Sequence, residues 1–324
     1  MSADGLFLGV DLGGTKVEAG LVDAQGRVLV SHRYPTHPDQ GPDAVIADVR
    51  ECVGRCLAQA GRPAAAIGVG IAGQVTADGV VRLAPNLRWQ HVPLRAKLEA
   101  TLRLPVFLTN DVRAAAVGEW RYGAGVGADD IVCIFVGTGI GGGVITGGRV
   151  LRGAGNAAGE IGHTVLVAGG RRCRCGNRGC LEAYAGGWAI AERTQEAVRS
   201  DPKGGAALLG LTRAAAPISA ADVADAFRRG DPLAGRLIGE TVEFLTAGVV
   251  GIVNVFNPAV LILGGGVIEG LPEWVDKFAR EVRARALPAA AETVRVTKAA
   301  LGGRAGMIGA AALAREVLAA GGAP

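Results

Sequence analysis

The feature that most constrains the fold of this chain is one unit written twice. A short apolar strand enters a glycine-rich turn, and a second strand leaves it. In the first copy, residues 6–10 run into Asp11-Leu-Gly-Gly-Thr-Lys16 and residues 17–22 follow. In the second, residues 131–136 run into Gly137-Thr-Gly-Ile-Gly-Gly-Gly143 and residues 144–145 follow. Glycine runs at such turns let backbone approach a ligand closely, because no side chain stands in the way. Mixed strands and helices follow each copy. One plan repeated in this way predicts two α/β lobes with a cleft for a small ligand between them.

Periodicity fills in the rest. The spacing predicts further strands at 27–34, 66–72, 106–109, 149–151, 260–263 and 294–297. It predicts helices at 42–60, 94–102, 112–120, 188–199, 220–229, 233–256, 273–286 and 306–319. Ser219 is the expected N-cap of the helix at 220, with Asp222 behind it. The expected division is a small lobe at 1–112, joined by the C-terminal helix of 305–324, and a large lobe at 113–304 that carries the loop 163–180. Residues 201–217, rich in alanine and glycine, carry no functional reading.

Four motifs carry chemistry. The first turn offers backbone N–H groups at Gly13 and Gly14, with Thr15 and Lys16 as further donors, the make-up of a phosphate cradle. Asp11 is placed to hold a magnesium ion through water. An ordinary hairpin turn would use the same residues, and the Walker A pattern is absent. Gly137, Thr138 and Gly139 also follow a strand. A strand rather than a helix is expected after them, which argues against the dinucleotide fingerprint. With Gly264-Gly-Gly266 after a third strand, these turns suit a nucleotide gripped from both lobes. Asn110-Asp111 closes the strand at 106–109 and opens a helix. Both residues cap helices well. A carboxylate there also suits the base that phosphoryl transfer needs for the attacking hydroxyl.

The fourth motif is the most specific: Glu160-Ile-Gly-His163, then Cys173-Arg-Cys-Gly-Asn-Arg-Gly-Cys180, then Glu182. Three cysteines and a histidine match a closed tetrahedral zinc site, structural because no position is left for water. A Cys173–Cys180 disulfide is the competing reading. Cys52, Cys56 and Cys133 lie in apolar patterns and read as core thiols. The net charge of +4 is spread over scattered arginines, which fits a solvated surface rather than a nucleic-acid face. No run approaches the roughly 20 consecutive apolar residues of a membrane helix. The stretch MSADGLFLGVDLGG lacks the basic region of a signal peptide. The chain is therefore expected in the cytoplasm, where six cysteines suggest metal binding or free thiols more than disulfides.

Together, Asp11-Leu-Gly-Gly-Thr-Lys16, Gly137-Thr-Gly-Ile-Gly-Gly-Gly143, Glu160-x-Gly-His163 and Cys-x-Cys-Gly-x-x-Gly-Cys-x-Glu182 resemble the ROK family of repressors and sugar kinases. The resemblance spans residues 6–319, in the family's order. It implies an actin-like, ribonuclease H-like α/β fold of the hexokinase and chaperone ATPase type, with a zinc-binding loop. It implies a kinase that moves the γ-phosphate of ATP to the 6-hydroxyl of a hexose, with Mg²⁺ and a structural Zn²⁺. Asp111 would be the catalytic base. Gly73, Asn86, Asn110, Glu160, His163 and Glu182 would hold the sugar beside it. His163, Cys173, Cys175 and Cys180 would hold the zinc, one imidazole nitrogen on metal and the other toward sugar. Asp11, Gly13, Gly14, Thr15, Lys16, Gly137, Thr138, Gly139 and Gly265 would contact the nucleotide and its magnesium.

Ala84-Pro-Asn-Leu-x-Trp89 and Asn110-Asp-Val-Arg-Ala-Ala-Ala116 resemble glucokinase-type members, which makes glucose the leading substrate. N-acetylmannosamine, N-acetylglucosamine, fructose and mannose are the other acceptors, and polyphosphate the other donor. A sugar-sensing repressor is the alternative from another class. With the first strand expected at residue 6, no helix-turn-helix is expected ahead of it. An actin-type ATPase is a third reading, against which the zinc motif and Glu182 count. The expected partner is the sugar, without nucleic acid or membrane, and a homodimer is implied by the resemblance alone.

Overall fold

The structure, a computed structural model, describes residues 5–211 and 217–321. Part of the stretch 201–217 therefore lies outside the described residues. Met1–Asp129, Gly143–Gly159 and Ala300–Pro324 form one compact unit. In it, β1 (Phe7–Leu12), β2 (Lys16–Val22) and β3 (Val28–Pro35) make an antiparallel meander. α1 (Pro42–Ala60) crosses to β4 (Ile67–Ile71), which lies parallel to β1. β5 (Gln74–Val75), β6 (Val81–Ala84) and β7 (Trp89–Val92) form a small antiparallel sheet that periodicity does not reveal. Its strands of two to four residues are too short to show alternation. α2 (Leu94–Leu102) leads to β8 (Val106–Asn110), parallel to β4, and α3 (Asp111–Tyr122) follows without a gap. The sheet order is β3-β2-β1-β4-β8.

Local sequence explains these elements. α1 opens on Pro42, whose missing N–H costs nothing in the first turn, and ends at Gly61 in the left-handed conformation. Between them Val45, Ile46, Val49 and Val53 form its buried stripe. β1 is buried at every position but Asp11, so both of its faces are covered. The C-terminal helix, Ala305–Ala319, covers one face and packs on β1, β4 and α3. Gly9 and Gly68 pair across β1 and β4. A side chain at either would fall on a backbone carbonyl of that helix, Met307 or Ala310. The two glycines thus bring helix backbone directly onto the sheet.

Asp130–Gly142 and Glu160–Ala299 form the second unit. β9 (Ile131–Val136) and the first residues of β10 (Ile140–Thr146) lie here, while the rest of β10 and β11 (Arg149–Val150) fall in the first unit. The helices α4 (Glu182–Ala185), α5 (Gly187–Ser200), α6 (Ala206–Leu211), α7 (Ala220–Arg228) and α8 (Pro232–Phe256) follow. β12 (Val260–Gly264), α9 (Gly266–Gly270), α10 (Trp274–Arg285), α11 (Pro288–Thr293) and β13 (Arg295–Lys298) close the unit. β12 lies between β9 and β13 and is parallel to both. The order of the sheet they belong to, β11-β10-β9-β12-β13, repeats the first strand for strand. The duplicated α/β plan expected from the sequence is therefore the observed one.

β10 begins earlier than expected. The turn proper is Gly137–Gly139, closed by the Gly137 N–H on the Gly139 carbonyl at 2.9 Å. Gly141 to Gly143 then belong to the strand, and having no side chains they give no strand signal. Ser219 caps α7 in a complete capping box with Asp222. α8 is long and apolar enough, by length and composition alone, to cross a bilayer, and half of its apolar window is buried. It also carries Arg236, Glu240 and Glu243 and packs against α4, α5, α7 and α10, which makes it the core helix of this unit.

Candidate functional site

The first unit holds two of the candidate carboxylates, Asp11 and Asp111. Asp11 sits on β1 beside Gly70 of β4, and Gly70 pairs in turn with Thr109 of β8. Gly70 has no side chain to separate the sheet from the start of α3: a Cβ there would lie 3.3 Å from the Asp111 Cα. Asp11 and Asp111 are therefore neighbours. Burial, with the charges of Asp111 and Glu18 adding to it, pushes the Asp11 carboxyl up from 3.8 to about 6. Lys16 and Arg33 offset only part of that.

Asn110 does cap α3. Its Oδ1 accepts from the N–H groups of Val112 at 3.0 Å and Arg113 at 3.1 Å. Its Nδ2 donates to the Gly73 carbonyl at 3.3 Å, which ties the exit of β4 to the start of α3. An amide nitrogen carries two hydrogens, so one is left for a ligand. The capping and functional readings of this residue are compatible. Asp111 adds a bond from the Val112 N–H to its Oδ1 at 2.9 Å.

The first glycine turn is a tight hairpin, with the Gly13 N–H on the Lys16 carbonyl at 3.0 Å. Thr36 fastens it from outside, its Oγ1 donating to the Gly13 carbonyl at 3.2 Å and its N–H to the Thr15 carbonyl at 3.2 Å. Gly14 packs against Asn86, which stands exposed in the short turn Pro85–Leu87. Thr15 and Lys16 are exposed.

The second unit holds the metal motif. His163, Cys173, Cys175 and Cys180 place their ligand atoms within 4.8 Å of one another. The Cys173 Sγ lies 3.7 Å from the His163 Nδ1, and the Cys175 and Cys180 Sγ atoms are 3.7 Å apart. A tetrahedral zinc with bonds of about 2.3 Å to sulfur and 2.0–2.1 Å to nitrogen has edges of roughly 3.6–3.8 Å. The donor set and its spacing fit zinc. All six cysteines are free, so the Cys173–Cys180 disulfide is not formed. Burial pushes the Cys173 thiol up to about 12. A dication is what would make it a thiolate. Nδ1 faces the cysteines, which leaves the His163 Nε2 for a second partner.

Glu182 joins this motif to the second glycine turn. Its Oε2 accepts the Ile140 N–H at 2.8 Å, and its Oε1 accepts the Trp188 indole N–H at 3.1 Å. A side chain on Gly139 would collide with that carboxylate. The start of α5 docks on the same turn, with Gly187 and Trp188 donating to the carbonyls of Gly137 and Thr138 at 2.9 Å. Gly265, at φ +89, caps α9 against the end of β9. Glu160 is exposed just ahead of the turn Ile161–His163.

The expected residues thus fall into two groups. Asp11, Gly13, Gly14, Thr15, Lys16, Gly73, Asn86, Asn110 and Asp111 belong to the first unit. Gly137, Thr138, Gly139, Glu160, His163, Cys173, Cys175, Cys180, Glu182 and Gly265 belong to the second. Sequence reasoning missed the supporting side chains. Trp188 orients Glu182. Arg113, buried, donates to the Asn156 side chain at 2.9 Å and to the carbonyls of Asn156 and Ala158 at 3.1 and 3.0 Å. Asn156 in turn donates to the Val75 carbonyl at 2.8 Å. A polar residue at a helical core position was the one available signal for Arg113.

Comparison with known proteins agrees with this picture. The model of the ROK family matches residues 7–317. A glucokinase of Streptomyces coelicolor is 36% identical over 315 residues, 96% of this chain and 98% of that protein. The crystal structure of a ROK family glucokinase from Streptomyces griseus in complex with glucose and AMPPNP matches with a TM-score of 0.83. It is 37% identical, over 96% of this chain and 100% of that one. A xylose repressor of Bacillus spizizenii is 26% identical over 96% of this chain, but only 77% of the repressor is covered.

Proposed function

The chain belongs to the ROK family, and from that premise we propose that it is an ATP-dependent glucokinase. One observation carries the reading. Relatives named as glucokinases match over essentially the whole of both chains, whereas the repressor match is weaker and leaves part of the repressor uncovered. The enzyme transfers the γ-phosphate of ATP to the 6-hydroxyl of glucose. In that step Asp111 accepts the hydroxyl proton, the sugar oxygen bonds to the γ-phosphorus, and the bond to the bridging oxygen breaks to release ADP.

Each unit supplies its share. In the first, Asn110 offers its remaining amide hydrogen to a ring hydroxyl, and Gly73 and Asn86 line the same site. In the second, Glu160, Glu182 and the His163 Nε2 take ring hydroxyls. Supporting this, the Glu182 oxygens accept the Ile140 and Trp188 N–H groups, and the His163 Nδ1 faces the Cys173 Sγ, which leaves Nε2 on the other side. Gly13, Gly14, Thr15, Lys16, Gly137, Thr138, Gly139 and Gly265 contact the nucleotide. Asp11 would hold Mg²⁺, whose charge would offset that building on the phosphates. His163, Cys173, Cys175 and Cys180 would hold a structural Zn²⁺, which would fix the orientation of the imidazole. The protein works as a homodimer in the cytoplasm, a setting that six unpaired cysteines suit.

The test is release of ADP with Mg²⁺-ATP against a panel of glucose, mannose, fructose and the two N-acetylhexosamines. Turnover that depends on sugar and peaks on glucose is expected. ATP hydrolysis indifferent to every sugar would overturn the reading.

A further inference from the structure

Beside the metal loop lies a cavity of about 450 Å³, walled on one side by Cys173 and Trp188, whose charged residues none of the chemistry above uses. Four arginines line it: Arg171, Arg172, Arg174 and Arg178. They come from one short run, Arg171-Arg-Cys-Arg-Cys-Gly-Asn-Arg178, folded around the cysteines. Two carboxylates share the cavity, Glu192 and Glu196. Arg171 engages both, Glu196 bidentately at 2.7 and 2.8 Å and Glu192 at 3.6 Å. Arg178 donates to the Gly170 carbonyl at 3.2 Å. No carboxylate pairs with Arg172, Arg174 or Arg178 among the described residues. The lining therefore carries excess positive charge, concentrated in guanidinium groups. Guanidinium forks match phosphate oxygens two at a time.

The cavity also has a mechanical link. The Arg174 guanidinium lies over the Trp188 ring, 4.5 Å from its centre. The Trp188 indole N–H is the donor that fixes the Glu182 Oε1. The other oxygen is fixed by backbone, the Ile140 N–H. If Arg174 turns from the ring to an anion, Trp188 loses its cationic cover. The indole donor is then held less firmly, and the Trp188 bond to the Glu182 Oε1 weakens, leaving that oxygen the Cys173 Sγ at 4.0 Å and the other the Ile140 N–H.

We infer that this cavity binds a small phosphorylated anion, and that its occupancy weakens glucose binding through Arg174, Trp188 and Glu182. The second half rests on Glu182 being a sugar ligand, as proposed above. Direct recognition by three exposed arginines also makes the binding salt-dependent.

The experiment is calorimetric titration of the zinc-loaded protein, with the nucleotide site filled by Mg²⁺-AMPPNP. Inorganic tripolyphosphate and glycerol 3-phosphate are the two probes, which separates a polyphosphate ligand from a phosphate monoester. One binding event per chain is expected for at least one probe. Arg172→Gln with Arg174→Gln should weaken it by about 10-fold or more, the loss of charge-assisted bonds. Glu192→Gln with Glu196→Gln should tighten it, a change no general loss of structure would produce. Metal analysis of both variants checks that zinc is retained. Saturating anion should then raise the glucose dissociation constant several-fold in the wild type and not in the arginine variant. No binding by either probe, binding indifferent to the arginines, or glucose affinity unmoved by the bound anion would each overturn the inference. A wild-type protein that fails to bind glucose without any anion would instead overturn the glucokinase reading.

Discussion

Replacing Asp11 by asparagine should make the first unit more stable and the enzyme much slower. The Asp11 carboxyl is pushed up to about 6 from 3.8, first by burial and then by Asp111 and Glu18. Because the folded value is raised, the folded state holds the proton more tightly between those two values. Stability is therefore greatest below the unfolded value and declines as pH climbs through the folded one. A displacement of that size corresponds to about 3 kcal/mol. At pH 8 without metal or nucleotide, the wild type carries that whole penalty. The asparagine variant carries none of it, so the gain should reach about 3 kcal/mol at pH 8 and vanish near pH 4. Hydrogen exchange of β1 and β4 amides, compared between variant and wild type at each pH, measures the opening energy of this unit. The same variant should need far more Mg²⁺-ATP and turn over slowly. A variant that is less stable than the wild type at pH 8 would refute the reasoning, since Asp11 would then be a structural anchor rather than a charge kept at a cost for a cation.

Asp111→Asn should lower kcat by about 10²–10⁴-fold, the worth of a general base. Glucose binding by calorimetry should persist, because Asn110 still caps α3. Cys175→Ser should strip the metal site, more than the roughly 10–100-fold loss of affinity caused by removing an outer partner of a ligand. Metal analysis should find one zinc per wild-type chain and little in the variant, with KM for glucose raised through His163. Glu119→Gln should destabilise the first unit by about 2–4 kcal/mol with little direct effect on chemistry. The fully buried Glu119 accepts the N–H groups of Ala124, Ala300 and Leu301, and an amide would set a donor against one or more of them. Urea unfolding of wild type and variant measures the difference.

Much of the fold was legible because its elements are long or sharply bounded. α1 shows a full apolar stripe between Pro42 and Gly61, and β1 and β9 are apolar runs that end at turns. The small sheet of β5, β6 and β7 was not legible, and neither was the start of β10. Strands of two to four residues are too short to show a period, and glycines within a strand carry no side-chain pattern to read. In both places the structure is decided by what packs against the backbone, which local sequence does not record.

The site divides in the same way. Residues that do chemistry must be of one type at one spacing, so the residues proposed for those roles, Asp111, His163, Glu182 and the three cysteines, stand out in the sequence. Residues that hold them in place need only reach them. Trp188 reaches Glu182 from the next helix, and Arg113 reaches Asn156 and Ala158 from a helix far back along the chain. Glu182, proposed above as a sugar ligand, shows why this would matter for affinity. A carboxylate that is buried beside a turn but free to rotate would lose rotamer entropy on meeting a sugar. Here Ile140 and Trp188 have already removed that freedom, so the orienting entropy is spent in folding rather than in binding. The sequence names the carboxylate, but only the folded chain names the two donors that make it a rigid acceptor, and one of those donors also carries an arginine from a separate, positively charged cavity.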